Sequence, residues 1–186
     1  MTALVATTPV IETGRLVLRV ARPEDLDRCA KLLGDYEVAK MLSRVSHPYD
    51  LDEGRRYLER SRVAWQNSAE ADELGFQIDL GGQMIGGVGF KKLRQTPEIG
   101  YWLGRPYWGK GYMSEAAGAA VAWLFENTDH QLIACEAMTE NPASLSIARK
   151  IGFREVGEVG CASLSRGGTV PAIRTELTRT EFLDGH

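Results

Sequence analysis

The chain has 186 residues, of which 44% are apolar and 25% charged, with a formal net charge of −3. This is ordinary globular composition in a length that suits one domain; it argues against a disordered chain and against a surface made basic throughout for nucleic acid. No apolar run approaches the roughly 18–20 residues that a membrane helix needs, and the opening MTALVATTPV has no basic leader, so a cytoplasmic location away from membranes is expected.

In chain order, a single domain is expected over 12–182, with 1–11 and 183–186 as loose ends. Arg15 to Val20 alternates apolar and basic residues, which predicts a strand with one wet face. Arg22-Pro23-Glu24-Asp25 opens a helix: proline sits near the first helical position, acids fill the first turn, and Gly34 ends the segment. Its apolar stripe is Leu26, Cys29, Ala30 and Leu33. Asp35 to Leu42 predicts a second, short helix, and Asp50 to Asn67 a longer one with a stripe of Leu51, Tyr57, Leu58, Ser61 and Trp65. Strands follow at Phe76–Leu80, Met84–Phe90 and Glu98–Leu103, the first two joined by a Gly81-Gly82 turn.

Met113 to Phe125 predicts a central helix, because Met113, Ala116, Ala117, Ala120, Val121 and Leu124 share one face and little polar surface lies opposite. Leu132–Met138 is a strand; Asn141-Pro142 caps a helix that runs through Ile151 to Gly152. Two more strands, near 154–163 and 170–180, flank the turn at Arg166-Gly167-Gly168. The order is β, helices, βββ, α, β, α, ββ, an α+β pattern rather than repeated βαβ. Cys29, Cys135 and Cys161 lie far apart, and His47, His130 and His186 share no ligand spacing, so neither a disulfide framework nor a metal centre is expected.

The most informative segment is Tyr107-Trp108-Gly109-Lys110-Gly111-Tyr112-Met113-Ser114, between a strand and the buried helix. Backbone N–H groups at a helix N-terminus lack intrahelical partners, and glycines let an anion come close to them, so a phosphate or pyrophosphate is the expected ligand. Gly104 to Lys110 also reads as the start of a nucleotide P-loop, but Gly111 stands where that motif needs a hydroxyl for magnesium, and Tyr107-Trp108 are bulky. A third reading is a glycine-rich turn that only feeds a core helix.

The chain resembles the GNAT superfamily of acyl-CoA-dependent N-acyltransferases, in the branch that includes acetyltransferases of ribosomal-protein N-termini. Four pieces in order carry the resemblance, which spans about residues 12–182. Glu12-Thr13-Gly14-Arg15-Leu16-Val17-Leu18-Arg19 matches the opening "ETxRLxLR" strand, and Glu98-Ile99-Gly100-Tyr101-Trp102-Leu103 matches "EIGYWL". Tyr107 to Ala116 matches "YWGKGYATEA", and Asn141, Ser144, Lys150, Gly152 and Phe153 match "NxxSxxxxxKxGF". Two departures stand out: Trp108 and Met113 occupy the end positions of the superfamily's QxxGxG loop, and Ala148 replaces the tyrosine that many members offer as the acid for the leaving thiolate.

The resemblance implies a mostly antiparallel central sheet, flanked by helices, with one strand pair splayed to admit acetyl-CoA as acyl donor and no metal. It implies a cofactor site built from Tyr101, Trp102, Leu103, the segment Trp108 to Ser114, Asn141 and Ser144. Acyl transfer to an amine needs a neutral amine, a donor for the developing oxyanion, and a thiolate that can leave. Glu98 is the candidate base, with Glu155 and Glu158 next; it also reads as a surface acid at a strand start. Ser144 is the candidate donor to the sulfur and also reads as a local cap. Tyr101 and Trp102 line the acceptor or pack the sheet. The implied function is transfer from acetyl-CoA to a primary amine, of a protein N-terminus or a small molecule, by direct attack in a ternary complex. The rival is a catalytically degenerate acyl-CoA sensor or scaffold. By analogy with related domains, the late strands near 154–180 are the expected surface for a homodimer.

Overall fold

Alternating apolar and small residues make Leu74–Leu80 (β3) and Gln83–Lys91 (β4) a hairpin. Its turn, Gly81-Gly82, has φ of 58° and 82°, the left-handed pair that a two-residue hairpin turn requires and that glycine adopts without steric cost. In the computed structural model, which describes residues 9–185, this hairpin belongs to an eight-stranded sheet. The other strands are Ile11–Glu12 (β1), Val17–Arg19 (β2), Glu98–Leu103 (β5), Leu132–Met138 (β6), Arg154–Ser163 (β7) and Gly168–Thr178 (β8). Their order is β1-β2-β3-β4-β5-β6-β8-β7, antiparallel throughout except where β5 runs parallel to β6.

One face of the sheet packs against a cluster that includes Cys29, Leu32 and Leu33 of α1 (Asp25–Leu33), Val38 of α2 (Tyr36–Ala39) and Leu58 of α3 (Leu51–Gln66). The other carries α4 (Tyr112–Asn127) and α5 (Pro142–Ile151). The predicted face of α4 is buried, and its small residues Ala116, Ala117 and Ala120 allow the helix to lie close to the strands. Trp65, Phe76 and Trp123 stack tilted or edge-on with centroids 4.9–5.4 Å apart, tying α3 and α4 to β3. The caps follow the sequence. Asp50 accepts from the N–H groups of Asp52 and Glu53, Asn141 accepts from that of Ser144, and α5 ends on left-handed Gly152.

Several expectations need correction. The basic face of β2 is not wet at Arg19, which is 6% exposed. Its Nε donates to Asp79 at 2.7 Å, and its Nη1 and Nη2 reach Asp25 at 2.8 and 2.7 Å. The guanidinium thus joins β2, β3 and the first residue of α1, and α1 begins at Asp25 rather than at Pro23. The helix expected over 35–42 is only Tyr36–Ala39, and Leu51 is 51% exposed rather than on the buried stripe of α3. The loose ends expected at 1–11 and 183–186 are partly structured. Ile11 pairs with Leu18 in β1, and Leu183 and Asp184 lie in α6 (Arg179–Asp184), which has a capping box between Thr178 and Glu181. Residues 1–8 and 186 lie outside the described residues.

Replacing Arg19 with methionine keeps much of the volume but leaves Asp25 and Asp79 buried side by side without their cation. Breaking a buried ion pair in this way costs about 3–5 kcal/mol. The expected result for Arg19→Met is a loss of that size in urea unfolding; a loss below about 1 kcal/mol would show that the cluster is not holding β2 to α1.

Candidate active site at the parting of two strands

β5 pairs with β4 along its whole length, from Lys91 opposite Glu98 to Gly86 opposite Leu103. With β6 it pairs only at Glu98–Ala134 and Ile99–Cys135. The Ala134 N–H donates to the Pro97 carbonyl at 2.8 Å, so the odd-numbered residues of β5 turn their backbone groups toward β6. Beyond Ile99 this edge has no strand partner. Leu103 recovers one bond, its carbonyl accepting from Trp108 Nε1 at 2.8 Å. Tyr101 is left with its backbone N–H and carbonyl facing a gap between the two strands.

The Tyr101 side chain crosses toward α5. Its hydroxyl donates to the Ser144 carbonyl at 3.1 Å and accepts from Ser144 Oγ at 3.2 Å; Cys135 Sγ lies 3.9 Å away. Burial, reinforced by neighbouring Cys135, pushes the tyrosine well above its ordinary range, and burial pushes the Cys135 thiol up to about 11. Both groups are therefore neutral at physiological pH. The hydroxyl pair is a hydrogen-bond donor set, and the thiol is a poor nucleophile. Asn141 and Ser144 stand together at the start of α5, and Ala148 is buried one turn further on.

At the open end of the gap, the chain leaves β5 through the 3-10 turn Arg105–Tyr107 and enters α4. Gly109 and Gly111 have φ of 72° and 79°, conformations that any side chain would strain. The first bond into the helix runs from the Glu115 N–H to the Gly111 carbonyl at 3.2 Å. The N–H groups of the turn just before it are thus presented to an external anion. Met113 contributes only backbone, since its side chain is in the core. The nucleotide P-loop reading finds no support: Lys110 Nζ is turned back onto the Pro106 carbonyl at 3.0 Å and toward the Tyr107 ring.

Two predicted residues lie elsewhere. Trp102 sits opposite Gly87, and its side chain packs with the α1–α3 cluster, so it is not part of the gap; strand alternation sends it to the face opposite Tyr101. Glu98 stands at the closed end, 3% exposed, with its carboxylate held by Lys91 and by Lys92 at 2.8 Å. Burial alone would raise its pKa, but the hydrogen bonds from Lys91 and Lys92 outweigh that and hold it below its ordinary value. Glu155 is paired with Arg149 at 2.5 Å, and Glu158 is on the exposed stretch of β7. The sequence reading missed both lysines and the hydroxyl pairing of Tyr101 with Ser144. A Lys-Lys pair just before a hairpin turn that leads to a glutamate is the one signal that pointed to the former.

Among the described residues, no group of three or more His, Cys, Asp or Glu side chains is placed to hold a metal, and no helix is long and apolar enough to cross a membrane. Residues 15–154 match the family model described as acetyltransferase (GNAT) domain. "Uncharacterized N-acetyltransferase p20" of Bacillus licheniformis is 25% identical over 177 residues, 91% of this chain and 96% of that protein. "Putative ribosomal N-acetyltransferase YdaF" of Bacillus subtilis is 27% identical over 150 residues, 77% of this chain and 80% of that one. Among solved structures, the ribosomal L7/L12 alpha-N-protein acetyltransferase RimL in complex with coenzyme A superposes with a TM-score of 0.79 at 19% identity, over 91% of this chain and 98% of that chain. The parted strands, the glycine turn that follows them and this match over most of the sequence place the chain in the GNAT acetyltransferase family, as an acetyl-CoA-dependent acyltransferase of the branch that resembles the ribosomal-protein enzymes.

Proposed function

We propose that the chain transfers an acetyl group from acetyl-CoA to a primary amine, with the α-amine of a protein N-terminus as the acceptor class. The observation that carries this reading is the β5–β6 gap, which runs from the Tyr101 backbone to the glycine turn at α4. The backbone N–H groups from Gly109 to Ser114 bind the pyrophosphate, and Trp108 braces the turn through the Leu103 carbonyl. The pantetheine arm lies along the unpaired edge of β5, where Asn141 meets it.

The thioester carbonyl oxygen takes the free Tyr101 N–H as its donor, which stabilises the charge that develops on attack. The amine nitrogen forms the new C–N bond, the C–S bond breaks, and the sulfur leaves as a thiolate. Ser144 Oγ, whose one O–H otherwise rests on the Tyr101 hydroxyl, turns it to that sulfur. A reference thiol pKa of about 8.5 makes such a donor helpful rather than essential, which fits alanine at position 148. The neutral, buried Cys135 gives no support to an acyl-enzyme and favours direct attack.

The acceptor approaches from the α1–α3 face, where Gly100 is exposed and has open space in the direction a side chain would take. Glu98 lies on this face, and we assign it the amine proton, taken through water. A carboxylate held below its usual pKa is a weak base, and this bears on the acceptor. At pH 7 about a tenth of an α-amine of pKa near 8 is already neutral, against roughly four in ten thousand for a lysine amine. Glu155 and Glu158 are the alternative bases. Of the assemblies, a homodimer through the late strands has the free edge of β7 to use, although the bulge at Glu155/Gly157 and the charges of Arg154, Glu155 and Glu158 oppose simple strand addition. A cytoplasmic location goes with an N-terminal protein acceptor.

A panel of N-terminal peptides, amino acids, polyamines and aminoglycosides, read by thiol release from acetyl-CoA, tests the function. Turnover confined to peptide α-amines is expected. Turnover confined to small amines would replace the acceptor class, and binding of acetyl-CoA without any turnover would establish the sensor reading.

Gly111→Val places a β-branched residue at φ 79°, with its Cβ 3.4 Å from the Arg15 guanidinium. CoA affinity by calorimetry is expected to fall at least about tenfold, a loss of about 1.4 kcal/mol, and to be indifferent to magnesium in the parent. An unchanged affinity would remove the turn from the cofactor site.

For Glu98→Gln, kcat is expected to drop at least about tenfold at neutral pH, with partial recovery as pH rises and CoA affinity nearly unchanged. The same variant loses an ion pair whose carboxyl has a depressed folded pKa. Its contribution to stability is present above the unfolded value of about 4.3 and is lost as pH falls through the folded one. The stability gap between parent and variant should therefore be open at pH 7 and narrow as pH falls below the unfolded value. Parent-level kcat across pH 6–9 would make Glu98 purely structural and move the search for a base to Glu155, Glu158 or water.

A further inference from the structure

We propose that Arg15, on the β1–β2 connection, is a positioning residue for the cofactor's pyrophosphate: it fixes the direction in which the glycine turn presents its N–H groups. The proposal rests on the reading of that turn as the pyrophosphate site and adds the device that shapes it. Arg15 Nη1 donates to the Lys110 carbonyl at 3.0 Å. Because a trans peptide is planar, its carbonyl and N–H point in opposite directions. Holding the Lys110 carbonyl on the Arg15 side turns the Gly111 N–H away from Arg15. Gly111, on one side of this peptide plane, leaves it easy to rotate, so an external tether decides its orientation.

The tether is itself held. Glu115, in the first turn of α4, accepts from Arg15 Nε at 2.7 Å, from the Arg15 backbone N–H at 2.8 Å and from Thr13 Oγ1 at 2.6 Å. The guanidinium also lies over the Tyr112 ring, 4.6 Å from its centroid. Two contacts, to Glu115 and to the Tyr112 ring, therefore fix the planar head of Arg15, and a third is spent on the turn. The arrangement has an electrostatic side as well. Glu115 puts a carboxylate beside the end of the helix that must receive a doubly charged pyrophosphate, and Arg15 neutralises it there. Without Arg15, the turn would lose its fixed peptide and gain a repelling charge.

Calorimetric titration of the full chain with CoA and with 3′-dephospho-CoA tests this, because both ligands carry the pyrophosphate and only one carries the 3′-phosphate. Arg15→Met is expected to weaken both by the same factor, about tenfold or more, while its melting temperature stays close to the parent's. Arg15→Lys keeps the charge but cannot bond Glu115 and Lys110 with a planar fork, so it should recover only part of the affinity. Parent-level CoA affinity in Arg15→Met overturns the proposal. So does a loss confined to CoA, which would make Arg15 a direct ligand of the 3′-phosphate, and so does full recovery in Arg15→Lys, which would reduce its role to charge alone. If Arg15→Met does not fold, Arg15→Lys with the same two ligands decides: equal partial losses support the proposal, and no loss overturns it. Failure of the parent to bind either ligand would instead refute the pyrophosphate site itself.

Discussion

The fold turns on one failure of pairing. A parallel strand in the middle of a sheet normally spends its backbone groups on both neighbours, since unpaired buried groups cost free energy. β5 does so with β4 but stops after two residues with β6. The proposed contacts to the acyl donor lie along the edge thereby left open. The Tyr101 backbone faces the opening, Trp108 returns to cover the Leu103 carbonyl, and α5 offers Asn141 and Ser144 across it. The sheet tolerates the defect because both of its faces are covered, by α1–α3 on one side and by α4 and α5 on the other.

In the proposed function the two faces divide the labour. Ile99, Tyr101 and Leu103 alternate with Glu98, Gly100 and Trp102, so that a single six-residue strand would serve the donor on one side and the acceptor on the other. On the donor side the polar groups are neutral: tyrosine and cysteine are both held in their protonated forms by burial. On the acceptor side the strand carries a charge, Glu98, with two lysines around it. An uncharged environment for the thioester and a charged one for the amine suit a reaction in which the nucleophile must lose a proton and the electrophile must not meet water.

The parts of this design that were legible in the sequence are those set by local chemistry. A Gly-Gly turn, an Asn-Pro helix start, a terminal glycine and a run of small apolar residues each specify their own conformation within a few positions. The boundaries of β5, β6 and β7 follow from such signals. What was not legible depends on partners distant in the chain. Arg19 reads as a solvated residue until Asp79, sixty positions away, is brought beside it. Trp102 reads as part of the cofactor motif until the register with Gly87 decides which way it faces. The pairing of Glu98 with Lys91 likewise belongs to the register of β4 and β5, and α6 depends on a capping box after a long strand, a cue too short to separate from the end of β8 by pattern alone.

The alanines of α4 have a mechanical consequence. Where α4 meets the sheet through Ala116, Ala117 and Ala120, the side chains are too short to take up displacement. Close-packed interiors transmit strain rather than absorb it. The end of α4 that faces the glycine turn is therefore positioned by the volume of a contact several ångströms further along the helix, in the way that the tip of a lever is set by its fulcrum. Variation in the residues of that contact would move the proposed anion site without touching it, and in that reading the core of this protein sets the dimensions of its site.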